Sequence, residues 1–435
     1  MYRKDLEKKW LELEAEIDRR GGDGKEFVAA MKDLYTIYDQ REVTWLANLF
    51  DYERGGFYYS NSARDNDQVE SKGKMFDLLP DMESTLQATG FLISSGMIES
   101  YDEIPDWLRE KLISFTSSLQ DPDDGYIYHP QWGKDIPDYR RGRDTTWANA
   151  MQEYLKFKLP YPTAMERLAA NVKAREEGKA DENVGLPEHL QSPEAIIAYF
   201  DKQDFVNNAY VAGSWLASQG GQIIAAGLAD VVVEYLNKFQ DPETGIWGAD
   251  KGYMAINGAL KISAFYSQAG RPIKNADKIA RVAMECICSE DPAETVCFQY
   301  NVWFTIYNML ENLQKFGGED GQKQIDAILS DLVKLAPAGI RATKEKVKVF
   351  KKDDGPFSYL PDRTAHYSQD VPVAIPYSNE GDVNATIICT TGTVAWLHHA
   401  LFLTEFMVPL FTHEDFELFL ETILKNKDKQ NVNKY

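Results

Sequence analysis

One loop, written twice, restricts the fold more than any other feature of the chain. LQDPDDGYIYHPQWG at 119–133 and FQDPETGIWG at 239–248 each follow an apolar helical pattern. Gln120 aligns with Gln240, Asp121 with Asp241, Pro122 with Pro242 and Gly125 with Gly245. In such a loop Asp caps, Pro stiffens, Gly turns and the aromatic packs back on neighbouring helix ends. Looser copies stand at Gly55-Gly56-Phe57-Tyr58-Tyr59 and at DDGPFSY, 353–359. A loop reused at helix ends implies a fold that repeats one unit, and the loops read as clasps rather than as the chemistry.

The rest of the chain reads mainly as helix. Residues 25–50 place Phe27, Met31, Leu34, Tyr35 and Tyr38 on one face at helical spacing. Similar patterns run near 80–97, 104–119, 141–157, 192–203, 206–218, 221–239, 252–269, 273–289, 295–315, 319–335, 382–407 and 413–426. FYYS at 57–60, YIY at 126–128 and KVKVF at 346–350 are expected to form short hairpin pieces. The class is therefore all-α with small β decorations. A solenoid requires a short uniform period, whereas the two QDP copies lie 120 residues apart and the other spacings are irregular. A closed ring of helical hairpins is the better expectation.

The pattern Gln-x-x-acidic-Gly-aromatic after a helix, as in QDPDDGY and QDPETGIW, resembles the loop repeats of α/α-toroid proteins. That architecture includes terpenoid cyclases, protein prenyltransferase β-subunits, polysaccharide lyases and many glycosidases. The resemblance implies one α/α-toroid domain over 1–435, with about six helical pairs and short β-hairpin loops. It also implies a central funnel lined by inner-helix ends and rim loops.

Composition narrows the partners. A formal net charge of −21 argues against nucleic acid and against an anionic membrane surface. No apolar run reaches membrane length, since Asp230 interrupts the longest, IIAAGLADVVVEYL. The charged start lacks a signal-peptide core, so a cytoplasmic location is expected, although a secreted protein without its leader would read the same. Cys286, Cys288, Cys297 and Cys389 are too few for a disulfide scaffold and are read as buried thiols. The six histidines make no metal spacing, so no metal or other cofactor is expected.

Candidate site residues fall in five stretches. LLPDMESTLQATGFL, 78–92, offers Glu83 as a carboxylate at the funnel mouth, beside Asp81 and Gln87. DYRRGRDTTWANAM, 138–151, concentrates arginines in an acidic chain; Arg143 suits an anionic substrate group, and Asp144 is expected to cap a helix. Asn207 and Asn208 precede a run of small residues, and Tyr300 puts a polar tip on a buried pattern. The long irregular segment 361–394 holds Arg363, His366, Tyr367, Glu380, Asp382 and Asn384, where functional loops concentrate. Trp132, Trp247 and Tyr59 stand in the rim loops as platforms for sugar rings.

With nine Trp, 23 Tyr and 21 Phe among Asn, Asp, Glu and Arg, a carbohydrate substrate is expected. The first reading is a lyase that cleaves uronate-containing saccharides by β-elimination, with His366, Tyr367 or Tyr300 moving protons and Arg143 neutralising the uronate carboxylate. The second is an inverting glycoside hydrolase using Glu83 or Asp144 with Glu380 or Asp382. A third is a toroid that binds sugar or protein without catalysis. Terpenoid cyclase or prenyltransferase chemistry remains as a fourth, against which the missing DxDD motif and zinc set count.

Overall fold

The structure, a computed structural model, describes residues 3–177 and 187–432. It is mostly helical with two small antiparallel hairpins, as expected of an all-α chain. The chain opens with α1 (Arg3–Arg19), α2 (Gly24–Tyr35) and α3 (Gln40–Asn48). A single turn, α4 (Asn61–Asp65), and the hairpin β1 (Gln68–Ser71) with β2 (Lys74–Asp77) lead into the buried α5 (Met82–Ser94). The outer α6 (Asp106–Ser118) is followed by α7 (Asp138–Leu155). Next come α8 (Ala164–Glu176), α9 (Pro193–Phe200) and α10 (Ala209–Ala225). Then α11 (Ala229–Leu236) precedes α12 (Gly252–Ala269), and α13 (Ala276–Ile287) precedes α14 (Cys297–Phe316). The 31-residue α15 (Gly318–Lys348) is followed by the hairpin β3 (Tyr367–Ser368) with β4 (Val371–Pro372). The last long stretch is α16 (Val383–Ile387), joined through a π-turn at Ile388–Gly392 to α17 (Thr393–Ala400), and then α18 (His413–Val432).

Packing follows this alternation. α5 lies on α7, α7 on α10, α10 on α12, α12 on α14 and α14 on α17, while α16 lies on α5. Side chains link these neighbours. Gln87 of α5 donates to Asn384 of α16 (3.2 Å), and Tyr253 of α12 stacks on Phe298 of α14 (5.2 Å). The apolar interior divides into two clusters, with Tyr38 and Leu410 packed against both.

The clasps recur at four places. Short bridges pair Phe50 with Phe57, Gln120 with Ile127, Gln240 with Trp247 and Lys351 with Phe357. In the first three, the Asp51, Asp121 and Asp241 carboxylates each accept two backbone N–H groups in the turn. The Gly55, Gly125 and Gly245 amides then donate back to the carbonyls of those aspartates. The fourth keeps the backbone pattern without the carboxylate: Lys352 N–H donates to the Pro356 carbonyl (2.8 Å) and Gly355 N–H to that of Lys352 (3.1 Å). Gln120 and Gln240 reach sideways to the Tyr161 and Lys274 carbonyls (2.9 and 2.6 Å), tying each clasp to the next connection.

Several expectations need correction. KVKVF is no strand: through Lys348 it continues α15, which also runs past Pro337. FYYS and YIY supply isolated bridge residues rather than strands. The true hairpins, 68–77 and 367–372, turn on Lys72-Gly73 and Gln369-Asp370, all at positive φ, where no Asn-Gly signal marks them. The break expected between 218 and 221 is absent, because α10 runs through Gly220-Gly221. Gly220 packs against the Gln268 carboxamide and the Phe265 ring of α12 inside a continuous helix rather than marking a turn.

Candidate functional site

Three carboxylates surround one arginine where α5 and α7 meet. Arg140 has no exposed surface. Its Nε donates to Asp144 (2.9 Å), its Nη1 to Glu83 (3.2 Å), and Nη2 stands 3.7 Å from Asp81. Trp132 and Trp147 cover the guanidinium, with ring centres 4.6 and 5.1 Å from Cζ. Asp144 was expected to cap a helix. The helix instead begins at Asp138, which carries Asp144 inward one turn beyond Arg140 on the same face. The cap on α5 is Asp81, which accepts the Ser84 N–H (3.0 Å). His129 accepts the Met82 N–H at Nε2 (2.9 Å) and approaches Asp144 through Nδ1 (3.6 Å).

Burial sets the protonation of this cluster. It lifts Asp81 to about 6 and Asp144 to about 7, against the pull of Arg140 on both. It holds His129 well below the ordinary imidazole value, and Arg140 adds to that. On Arg140 burial works against the charge, yet Asp144, Glu83 and Asp81 together keep its pKa above normal.

Asp382 extends the polar lining to α16. It caps that helix through Ala385 N–H (2.8 Å) and also accepts Tyr359 N–H (2.8 Å) and the Thr364 hydroxyl (3.0 Å). The buried Tyr59 phenol bonds it too, and burial lifts Asp382 to about 7. Across the same interior, Arg143 of α7 donates to Ser218 (2.9 Å) and Ser214 (3.2 Å) of α10. Lys261, half-buried on α12, lies within electrostatic reach of Arg143, Cys297 and Glu83. Burial and then Arg143 lower its pKa to about 8. Cys297 at the start of α14 lies 3.4 Å from the Tyr359 phenol, and Tyr210 of α10 bonds both. Cys297 and burial push the Tyr210 and Tyr359 phenols upward.

The structure thus places Glu83, Asp382, Tyr59, Asn384 and Trp132 at or beside helix starts, and Arg143 and Asp144 nearly two turns inside α7. Tyr300 joins them from one turn inside α14, where its hydroxyl accepts the Trp396 N–H (2.9 Å). The other candidates are held by different contacts. His366 and Tyr367 sit together on segment 361–382, ring centres 4.6 Å apart, with the Tyr367 hydroxyl on Ser71. Arg363 pairs with Asp362 (2.7 Å), and Glu380 staples Ser60 (3.0 Å) and Ser62 N–H (2.8 Å). Asn207 bonds Asp204 (2.8 Å), and Asn208 starts α10 without a side-chain cap. Trp247 is wholly buried and donates to the Leu236 carbonyl (3.2 Å), so its ring offers no face to a ligand.

Lys261, Cys297, Tyr359 and His129 complete the cluster, with Asp81, Arg140 and Tyr210 from the stretches already singled out. Lys261 had a legible signal: it is the lone charge in GYMAINGALKISAFYSQA. The four cysteines are free. No His, Cys, Asp and Glu group suited to a metal occurs among the described residues, and no described helix is long and apolar enough to cross a membrane. No family model, curated protein or solved structure matches the chain.

Proposed function

We propose that the six successive helix neighbours form an α/α toroid and that the protein is a lyase cleaving uronate saccharides by β-elimination. The return of α16 onto α5 supports the ring. One observation carries the chemistry: Arg143 and Lys261 share the interior without an ion pair. Among the described residues, the hydrogen bonds of Arg143 go to serine hydroxyls, and neither cation has a carboxylate within ion-pair distance. In a chain of net charge −21, two such cations favour an anionic group brought by the substrate.

A uronate carboxylate bound by Arg143 beside the Ser214 and Ser218 hydroxyls has its charge neutralised, which acidifies the C5 proton. Neutral Lys261 takes that proton. The released electron pair forms the C4–C5 double bond as the C4–O4 bond breaks. The leaving oxygen takes the proton of Tyr210, whose phenol stays protonated at neutral pH under the influence of Cys297 and burial. Lys261 then loses its proton to water, and Tyr210 regains one from it. No oxidant or cofactor enters this balance.

The hydrolase reading draws support from Asp144 and Asp382, each lifted to about 7 and so able to hold or release a proton near neutrality. Neither carboxyl has exposed surface, which favours the lyase.

Incubation with alginate, glucuronan and glycosaminoglycans separates the readings. Ultraviolet absorbance of an unsaturated uronate selects the lyase, and new reducing ends without it select the hydrolase. Neither signal leaves a binding toroid. Arg143→Ala and Lys261→Ala are expected to lose the absorbance while keeping the helical circular dichroism. The wild-type rate is expected to rise with pH through about 8, because only the neutral amine accepts a proton; a rate falling over that range counts against Lys261 as the base.

A further inference from the structure

A cavity of about 640 Å³ opens between the last turn of α1, the second half of α14 and the end of α17. It lies apart from the candidate site: Tyr307 in its lining stands ten residues beyond Cys297 along α14, about 15 Å at the helical rise. On the α1 wall the guanidiniums are already engaged. Arg19 holds Glu16 through Nε (2.7 Å) and Nη2 (2.6 Å), and Arg20 holds it through Nε (2.6 Å). Arg20 turns its other two nitrogens to the carbonyls of Leu401 (2.5 Å) and Phe402 (3.1 Å). Phe402 is thereby fixed at φ +51°, a costly conformation for a bulky residue that persists where its surroundings enforce it.

The rest of the lining is aromatic and acidic. The Tyr307 and His399 rings lie 4.8 Å apart, and the Phe402 ring stands edge-on to Tyr307 at 6.4 Å. Burial holds His399 below the ordinary imidazole value against the opposing influence of Glu311, so its ring is neutral at neutral pH. Glu311, one turn beyond Tyr307, accepts the Tyr307 hydroxyl, and Glu405 is exposed on the turn that follows α17. Among the described residues every ion pair in this lining falls on Glu16, and Glu311 and Glu405 have none. Two guanidiniums against one carboxylate leave positive charge on the α1 wall, and the two unpaired carboxylates make the remainder negative.

Aromatic faces attract cations, and a carboxylate beside them makes a charge-assisted hydrogen bond to an ammonium group. A cavity of this size suits a small molecule. A bare metal ion fits less well, because no group of three metal-ligating side chains meets among the described residues. We infer that the cavity binds a small organic ammonium ion, its charge met by Glu311 and Glu405 and its apolar groups laid on Tyr307, His399 and Phe402. The α1 wall repels the ammonium and so keeps it on the α14 side. This site does not depend on the lyase reading.

The test titrates the full chain by calorimetry with phenethylamine and benzyltrimethylammonium, with phenethyl alcohol as the uncharged probe and phenylpropanoate as the anionic one. Both cations are expected to bind about tenfold or more tighter than the alcohol, and the anion not at all. Failure of both cations to bind, or equal binding of cation and alcohol, overturns the site. Glu311→Gln combined with Glu405→Gln, checked for fold by circular dichroism, is expected to weaken both cations about tenfold. A chain of net charge −21 also attracts cations without a site. Glu194→Gln combined with Glu414→Gln, at the starts of α9 and α18, therefore removes the same charge elsewhere and is expected to leave affinity unchanged. An equal loss in the two double variants shows surface attraction only and overturns the inference. Tyr307→Leu keeps both carboxylates and is expected to weaken benzyltrimethylammonium; unchanged affinity there removes the aromatic faces from the site and counts against it.

Discussion

Arg140 compensates three carboxylates from a place without solvent, so its removal leaves charge that nothing else nearby can neutralise. Arg140→Met is expected to cost about 3–5 kcal/mol in denaturant unfolding, and unchanged stability would show that the carboxyls protonate at no cost. Asp144 gives this residue scale a pH signature. Its folded pKa of about 7 lies above the unfolded value of roughly 3.9, so folding takes up a proton between the two. The stability it contributes is complete below that lower value and is lost as pH rises through about 7. Relative to Asp144→Asn, the wild type should therefore lose stability from acid towards neutral pH. A constant difference between the two proteins would place the carboxyl pKa near normal. Taking this difference also removes buried histidines away from Asp144, such as His398, which slope the opposite way below their ordinary value.

At the scale of elements, the clasp is the repeated unit, but its copies are not equally strong. Asp51 takes the Glu53 and Arg54 amides, the Arg54 guanidinium and the Tyr58 hydroxyl, and it is buried. Asp51→Ala is expected to cost about 2 kcal/mol, and Asp241→Ala, whose carboxylate is open to water, distinctly less; the reverse order in thermal melts would contradict the clasp. Gly245 holds φ +75°, and a Cβ there would meet Ile279 at 2.7 Å and the Asn275 carbonyl at 2.8 Å. Gly245→Val is expected to cost about 2–4 kcal/mol by the same melts. Both QDP clasps were legible because their work is local: Asp, Pro and Gly act on amides a few residues away. The hairpins at 68–77 and 367–372 were not, since Lys72, Gln369 and Asp370 adopt positive φ without being the usual residues for it. The π-turn at Ile388–Gly392 is likewise silent in sequence. At its last residue, a Cβ on Gly392 would stand 3.0 Å from the Tyr300 ring.

For the whole molecule, the sequence by itself determined the all-α class, the clasps and most helix positions. Apolar spacing and turn chemistry act over a few residues and need no partner to be read. It also singled out Glu83, Asp144, Asp382 and Arg143 as polar residues near expected helix starts. Only the tertiary structure decided which of them meet. Helix phase carried Asp144 inward beside Arg140, and helix neighbours set Lys261 within reach of Arg143. His366 and Tyr367 were carried onto segment 361–382 against Ser71, and Trp247 into the core. A polar residue in a pattern has a face and a type, but its neighbour depends on how elements far apart in the chain are stacked. That contact is a property of the packed helices, and no local stretch of sequence contains it.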